Sequence, residues 1–248
     1  MDSAAISIQI LATSLQENPN LSERISTNSL IQQKLFFTLQ NSQSFKYNFD
    51  SLTAIKRISA PDGQFNIFTW QVELADGKFM QNGIIQIKIT EDSVKIVSLK
   101  DGSDEMENPE IEDCSIHNWL GAIYYDIHMT DHNGTKYYTL LGYDEYSTAM
   151  TQKFIEVLHF ENNEPILGGD YFIYPPDDTY PSGPVKRFIY TYKKGSNAYV
   201  KFEKNYNAII LSELSSIENN LNKKSTLVPS GDEVYFVWKN GKWVMPKK

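Results

Sequence analysis

The sequence predicts a mainly β, α+β protein: an antiparallel meander closing as a sandwich or barrel-like sheet, with an N-terminal helical cap and one short inserted helix. A small propeller-like β meander is the alternative. Three observations lead there. Side-chain character alternates with a two-residue period from Leu52 almost to the end, whereas before it apolar residues recur at helical spacing. Trp119 to Asp144 forms one long hairpin around Asn133-Gly134, the dipeptide that most readily takes two successive positive-φ positions. Turn signals also recur at short spacing, as in all-β folds. Of the 248 residues, 1–45 are assigned to the cap and 46–248 to a single β-rich unit.

Residues 3 to 41 are helical, with a break near Glu17-Asn18-Pro19-Asn20. Ile6, Ile10, Leu11 and Leu15 fall at helical spacing in the first helix, and Leu30, Ile31, Leu35, Phe36 and Leu39 in the second. Ser29 with Gln32 forms a local capping box. Such a pair serves better as a cap on its own sheet than as a partner-binding arm.

A four-stranded meander follows. Ala60-Pro61-Asp62-Gly63 turns into Phe68, Trp70, Val72 and Leu74, which alternate with polar residues and predict a strand with one wet face. Ala75-Asp76-Gly77-Lys78 and Glu91-Asp92-Ser93 mark the next two turns. Asp101 to Asp113 carries seven carboxylates and no basic residue. It lacks the oxygen-ligand spacing of a calcium loop, so a solvated, flexible acidic loop is expected.

In the central hairpin, a two-residue turn sets His132 opposite Thr135, Met129 opposite Tyr138 and Ile127 opposite Leu140. Trp119, Ile123, Tyr125, Ile127 and Met129 then form the buried face, and Tyr124, Asp126, His128 and Thr130 the other. Ser147 to Leu158 supports the short helix through Met150, Phe154, Ile155 and Leu158. Pro175 to Pro184 is a proline-rich loop that could serve as a lid or rim, since proline supplies no ladder donor. Beyond it, Phe188 to Phe202 repeats the hairpin pattern about Lys194-Gly195-Ser196-Asn197. Ser215 to Ser230 is polar, a loop or short helix. A last hairpin about Asn240-Gly241 sets Trp238 against Trp243, which pack together in preference to stacking on a sugar ring.

A net charge of -8 and pI of about 5.1 would repel a nucleic-acid backbone, which excludes nucleic acid as a partner. Cys114, the single cysteine, has no disulfide or CxxC companion. No apolar run approaches the roughly 20 residues that span a bilayer. The opening MDSAAISIQILATSLQ lacks the basic stretch of a signal peptide. The expectation is therefore cytoplasmic residence, or an export signal removed upstream of this numbering.

Phosphate-binding loops, nucleophile elbows and H-E-x-x-H are absent from the sequence, and no cofactor is expected. Asp126, His128 and His132 near the central turn are the candidate metal ligands, because imidazole and carboxylate together suit a divalent ion. On a straight strand, however, the two histidines stand about 13 Å apart. Trp119, Tyr124, Tyr137, Tyr143 and Asp144 are the candidate ligand-binding residues, an aromatic-lined surface for a glycan or peptide.

Asn48-Phe49-Asp50-Ser51-Leu52, the Ala-Pro-Asp-Gly turn leading to Phe68-Thr69-Trp70, Trp119 to Tyr125 and Lys136 to Asp144 together resemble an uncharacterised, often exported, protein family of Bacteroidota bacteria. The resemblance covers most of the chain after the helices, through structural patterns rather than catalytic signatures. It implies a periplasmic or cell-envelope location and carries no activity onto any residue. The sequence thus favours a non-enzymatic binding or cell-envelope accessory protein. The competing class is a hydrolase acting on glycan or peptide through carboxylates that the fold brings together.

Overall fold

The structure, a computed structural model, describes residues 1–75, 77–175 and 185–246. Two helices, α1 (Asp2–Glu17) and α2 (Leu21–Leu39), precede fourteen described strands. β1 (Lys56–Ser59), β2 (Phe65–Glu73), β3 (Phe79–Thr90) and β4 (Ser93–Lys100) pair in sequence order as a first antiparallel sheet, the expected meander. β5 (Ile123–His132), β6 (Thr135–Asp144), β7 (Met150–Glu161) and β10 (Arg187–Lys193) form the second sheet, with β8 (Glu164–Leu167) also on β7. The third runs β11 (Val200–Glu203), β12 (Ala208–Ser216), β13 (Leu227–Lys239), β14 (Lys242–Val244), then β9 (Phe172–Ile173), which joins parallel to β14.

No sheet among the described residues closes on itself, so the barrel and the sandwich expected from the sequence are not formed. Nor does one unit repeat as in a propeller: the first sheet has four strands and the other two five, their strand orders differ, and β9 enters the third out of sequence. Instead, the open sheets bury their faces against successive neighbours. One core lies between the helices and the first sheet, around Ile8, Leu35, Phe68 and Trp70. A second joins the first and second sheets through Phe65, Ile85, Tyr138 and Leu158, and a third joins the second and third through Ile155, Phe188, Phe236 and Trp243. Alternation alone cannot distinguish these arrangements, because a strand covered on one face looks the same whatever covers it.

Several local expectations change for the same reason. β2 has no wet face: Phe68, Trp70 and Val72 meet the helices, while Phe65 and Ile67 meet the second sheet. Its buried Asn66 is satisfied by Arg57, Ser59 and Gln86. On α1 the buried stripe is Ala5, Ile8, Ala12 and Leu15, leaving Ile6 and Ile10 exposed, because small alanines allow the close approach. α2 is capped by Asn20, whose side-chain oxygen accepts from Glu23 N, and Ser29 instead donates to Ile25 O within the helix. The Ser147 to Leu158 segment is β7 rather than a helix. Its Phe154, Ile155, Val157 and Leu158 are buried on two faces, and a doubly covered strand mimics helical spacing. Phe188 to Phe202 is no hairpin either: β10 pairs with β7 and β11 with β12, so the turn crosses from one sheet to another. Ser215 to Ser230 contains the end of β12, a 3₁₀ turn at Lys224–Thr226 and the start of β13. The acidic loop is tied down, since Arg187 donates to Pro109 O and Glu112 O while Lys186 pairs with Asp113. In the proline-rich loop, 176–184 lie outside the described residues, as does Asp76 in the turn after β2.

Candidate functional site

The β5–β6 hairpin has the expected register at its tip, with His132 opposite Thr135, Met129 opposite Tyr138 and Ile127 opposite Leu140. Asn133 and Gly134 both have positive φ, which fits the right-handed twist of the strands. Nearer its base a bulge intervenes: Tyr124 faces Gly142 and Asp126 faces Leu141, leaving Tyr125 unmatched. The extra residue transfers Tyr124 to the Ile127 side and sends Tyr125 to the opposite one. The predicted faces therefore hold only beyond the bulge, and even there Met129 is exposed.

Two candidates lie away from the surface, Tyr124 through that shift and Trp119 ahead of β5, where it bridges to Asp101. Trp119 and Tyr124 are buried, and the Trp119 indole donates to Tyr124 Oη at 2.9 Å. Tyr124 Oη donates in turn to Glu156 at 2.7 Å, and Arg187 Nε donates to the other Glu156 oxygen at 2.9 Å. Burial and then the Glu156 charge hold the Tyr124 hydroxyl well above its usual range. Burial likewise pushes the nearby Cys114 thiol up to about 12, which leaves it protonated and unsuited to nucleophilic attack. This chain of partners is a structural pin through the second core. Breaking it would leave a buried charge at a cost of roughly 3–5 kcal/mol.

Tyr143, half-buried, lies 6.3 Å from Tyr125 between ring centroids. Asp144 is buried at the end of β6, where it accepts from Gln81 Nε2 at 2.8 Å and Tyr146 N at 2.9 Å. Burial, with lesser contributions from Asp101 and Glu145, raises its carboxyl to about 6.

Of the candidate metal ligands, Asp126 and His128 come together, with Oδ2 and Nε2 2.7 Å apart. His128 also stacks on Phe202 at 3.7 Å between centroids. His132 turns elsewhere, its Nε2 3.1 Å from Asn133 Nδ2 and its ring against Gly241. Among the described residues no group of three histidine, cysteine, aspartate or glutamate side chains is placed to hold a metal ion.

Tyr137 is the candidate around which other aromatics gather. Its ring lies 5.3 Å from Tyr171, 5.7 Å from Trp238 and 5.8 Å from His159, within the range of favourable offset and edge contacts. Tyr137, Tyr171 and Trp238 are half-buried at the seam between the second and third sheets. Trp238 is held there by Trp243, 5.3 Å away in the final hairpin. Trp243 is wholly buried and donates to Thr139 at 2.8 Å, so the pair presents one indole and not two. Polar groups interleave with the rings. Tyr171 Oη lies 3.4 Å from His159 Nδ1, and His159 Nε2 lies 3.3 Å from Glu161. Burial, then Tyr137, pushes the Tyr171 hydroxyl up to about 12, which keeps it protonated beside the imidazole.

His159 and Tyr171 were not legible as site residues, and Trp238 was legible only as half of a pair that packs in preference to stacking on a sugar. They belong to β7, the approach to β9 and β13, and only the parallel β14–β9 pairing brings the last two together. No helix among the described residues is long and apolar enough to cross a membrane. Comparison with protein-family models, curated proteins and solved structures finds no match to the chain.

Proposed function

We propose that the protein is a non-enzymatic binding protein that holds a hydroxyl-rich glycan on the Tyr137, Tyr171 and Trp238 cluster. The observation that carries this reading is half-exposed ring faces set beside polar donors and acceptors. Apolar ring faces suit the C–H faces of a sugar, while Tyr171 Oη, His159 and Glu161 supply partners for its hydroxyls. An extracytoplasmic, cell-envelope role belongs to the same reading and is supported by the resemblance to an often exported family. Recovery of the native chain from the cytoplasmic fraction alone would count against that part.

The test uses tryptophan fluorescence during titration with a panel of neutral oligosaccharides and peptides. Trp70, Trp119 and Trp243 are buried, so a saturable change reports chiefly on Trp238. Tyr137→Ala, which keeps the Trp238 reporter, should weaken binding by about tenfold, equivalent to ~1.4 kcal/mol. An unaltered affinity in that variant, or a response to peptides alone, sinks the glycan reading.

The hydrolase reading draws on one observation, the raised carboxyl of Asp144 beside Asp101. Asp101 lines a cleft of about 390 Å³ with Gln81, Asn82 and Glu105. Hydrolysis of an oligosaccharide or peptide that disappears in Asp144→Asn would favour this alternative over simple binding.

A further inference from the structure

A second cleft lies on the opposite side of β6, remote in character from the aromatic seam. It has a volume of about 450 Å³ and opens where the first and second sheets meet at the tip of the β5–β6 hairpin. That volume suits a small molecule. Ile87, Tyr138 and Phe160 supply its apolar wall. The wall is firm, because Phe65 braces Tyr138 at 4.8 Å and Phe160 at 5.2 Å from behind. Lys88 and Lys136 line the same cleft.

The carboxylate partners of these lysines stand outside the lining of the cleft. Lys136 pairs with Asp62 at 2.7 Å, and Asp62 also accepts from Tyr138 Oη at 2.9 Å and from Gln64 N at 3.3 Å. Lys88 shares Glu91 with Lys46, the latter at 3.2 Å. Among the described residues, the lining of the cleft itself carries the Lys88 and Lys136 ammonium groups and no carboxylate, in a chain whose net charge is -8. Asp62 is engaged by three donors, whereas each lysine carries three N–H groups. Donors therefore remain at the mouth of an apolar wall. Gly134 keeps the approach open, since a Cβ there would meet nothing within 4 Å.

We propose that this cleft binds a small amphipathic carboxylate, its apolar body against Ile87 and Phe160 and its anionic head between Lys88 and Lys136. The site is separate from the aromatic cluster. The uncharged part gains from leaving water, and the head gains charge-assisted hydrogen bonds in a partly enclosed position. A neutral ligand of the same shape would forgo the second contribution.

The test is isothermal titration of the full chain with 4-phenylbutyrate and, separately, with its uncharged amide. The carboxylate should bind about tenfold more tightly than the amide, with an advantage that shrinks as salt rises. Lys88→Gln should lower carboxylate affinity about fivefold while leaving the amide unaffected. Lys88 is the variant of choice because its carboxylate partner is exposed, whereas Lys136 also holds Asp62. Phe160→Ala should weaken both ligands, and equal melting temperatures for the variants and the parent confirm that each has folded. Equal affinity for carboxylate and amide, no saturable binding of either, or an unchanged response in Lys88→Gln overturns the proposal.

Discussion

Asp144 carries its charge at an energetic cost. Its carboxyl sits at about 6 instead of the ordinary 3.8, burial being the main cause, so the folded state holds this proton more tightly than the unfolded chain does. Ionisation at neutral pH consequently opposes folding. The penalty is complete above about pH 6 and is relieved as pH falls towards 4, worth on the order of 3 kcal/mol. Asp144→Asn removes the charge, and its amide oxygen can still accept from Gln81 and Tyr146. The variant should resist urea better than the parent at pH 7.5, and the two should converge at about pH 3.5. Equal denaturation midpoints at pH 7.5 would show that the buried charge costs nothing there. At this scale the sequence pointed to Asp144 as a residue of interest. Nothing local could show that Gln81, 63 positions away, would face it.

At the scale of single elements, the two Asn-Gly turns were the most legible features. Both have positive φ at both residues, and both set the expected pairs opposite one another. Their surroundings differ. A Cβ at Gly134 would meet nothing within 4 Å, whereas one at Gly241 would lie 2.6 Å from His132 Cδ2. Left-handed backbone penalises alanine by roughly 1–2 kcal/mol at either turn. Gly241→Ala should therefore lower the melting temperature by more than Gly134→Ala, and equal losses would remove the clash from the account. Misread elements fail for a shared reason. β7 is covered on both faces and loses its alternation, and the bulge at Tyr125 moves Tyr124 to the Ile127 side and Tyr125 to the other. Of the proposed aromatic surface, Tyr137 and Tyr143 remain half-exposed. Tyr124 belongs to the interior because of that single inserted residue, whereas Trp119 lies on the buried face where the sequence placed it.

Across the whole molecule, the helices act as the cover of an otherwise bare sheet. Phe68, Trp70, Val72 and Ile84 face them, and Trp70 Nε1 donates to Asn28 on α2 at 2.7 Å. Each large apolar side chain gains about 1.5–3 kcal/mol on burial, so four supply roughly 6–12 kcal/mol. This is comparable to the whole net stability of an ordinary domain, about 5–15 kcal/mol. A chain truncated before residue 41 should accordingly lose its cooperative melting transition, bind hydrophobic dyes and aggregate on size exclusion. A monomeric truncated form with unchanged melting would show the β-rich part to be independent of its cap.

The amino-acid sequence by itself determined the local pairings: two N-terminal helices, the four-stranded meander, and the registers of the two Asn-Gly hairpins. Each depends on neighbouring residues and on backbone preferences that act within a few positions. Tertiary structure alone decided that the sheets stay open and cover one another in succession, and that Tyr137 meets Tyr171, His159 and Trp238. Those outcomes depend on which buried face meets which, and two apolar faces leave the same imprint on a sequence whatever partner each one finds.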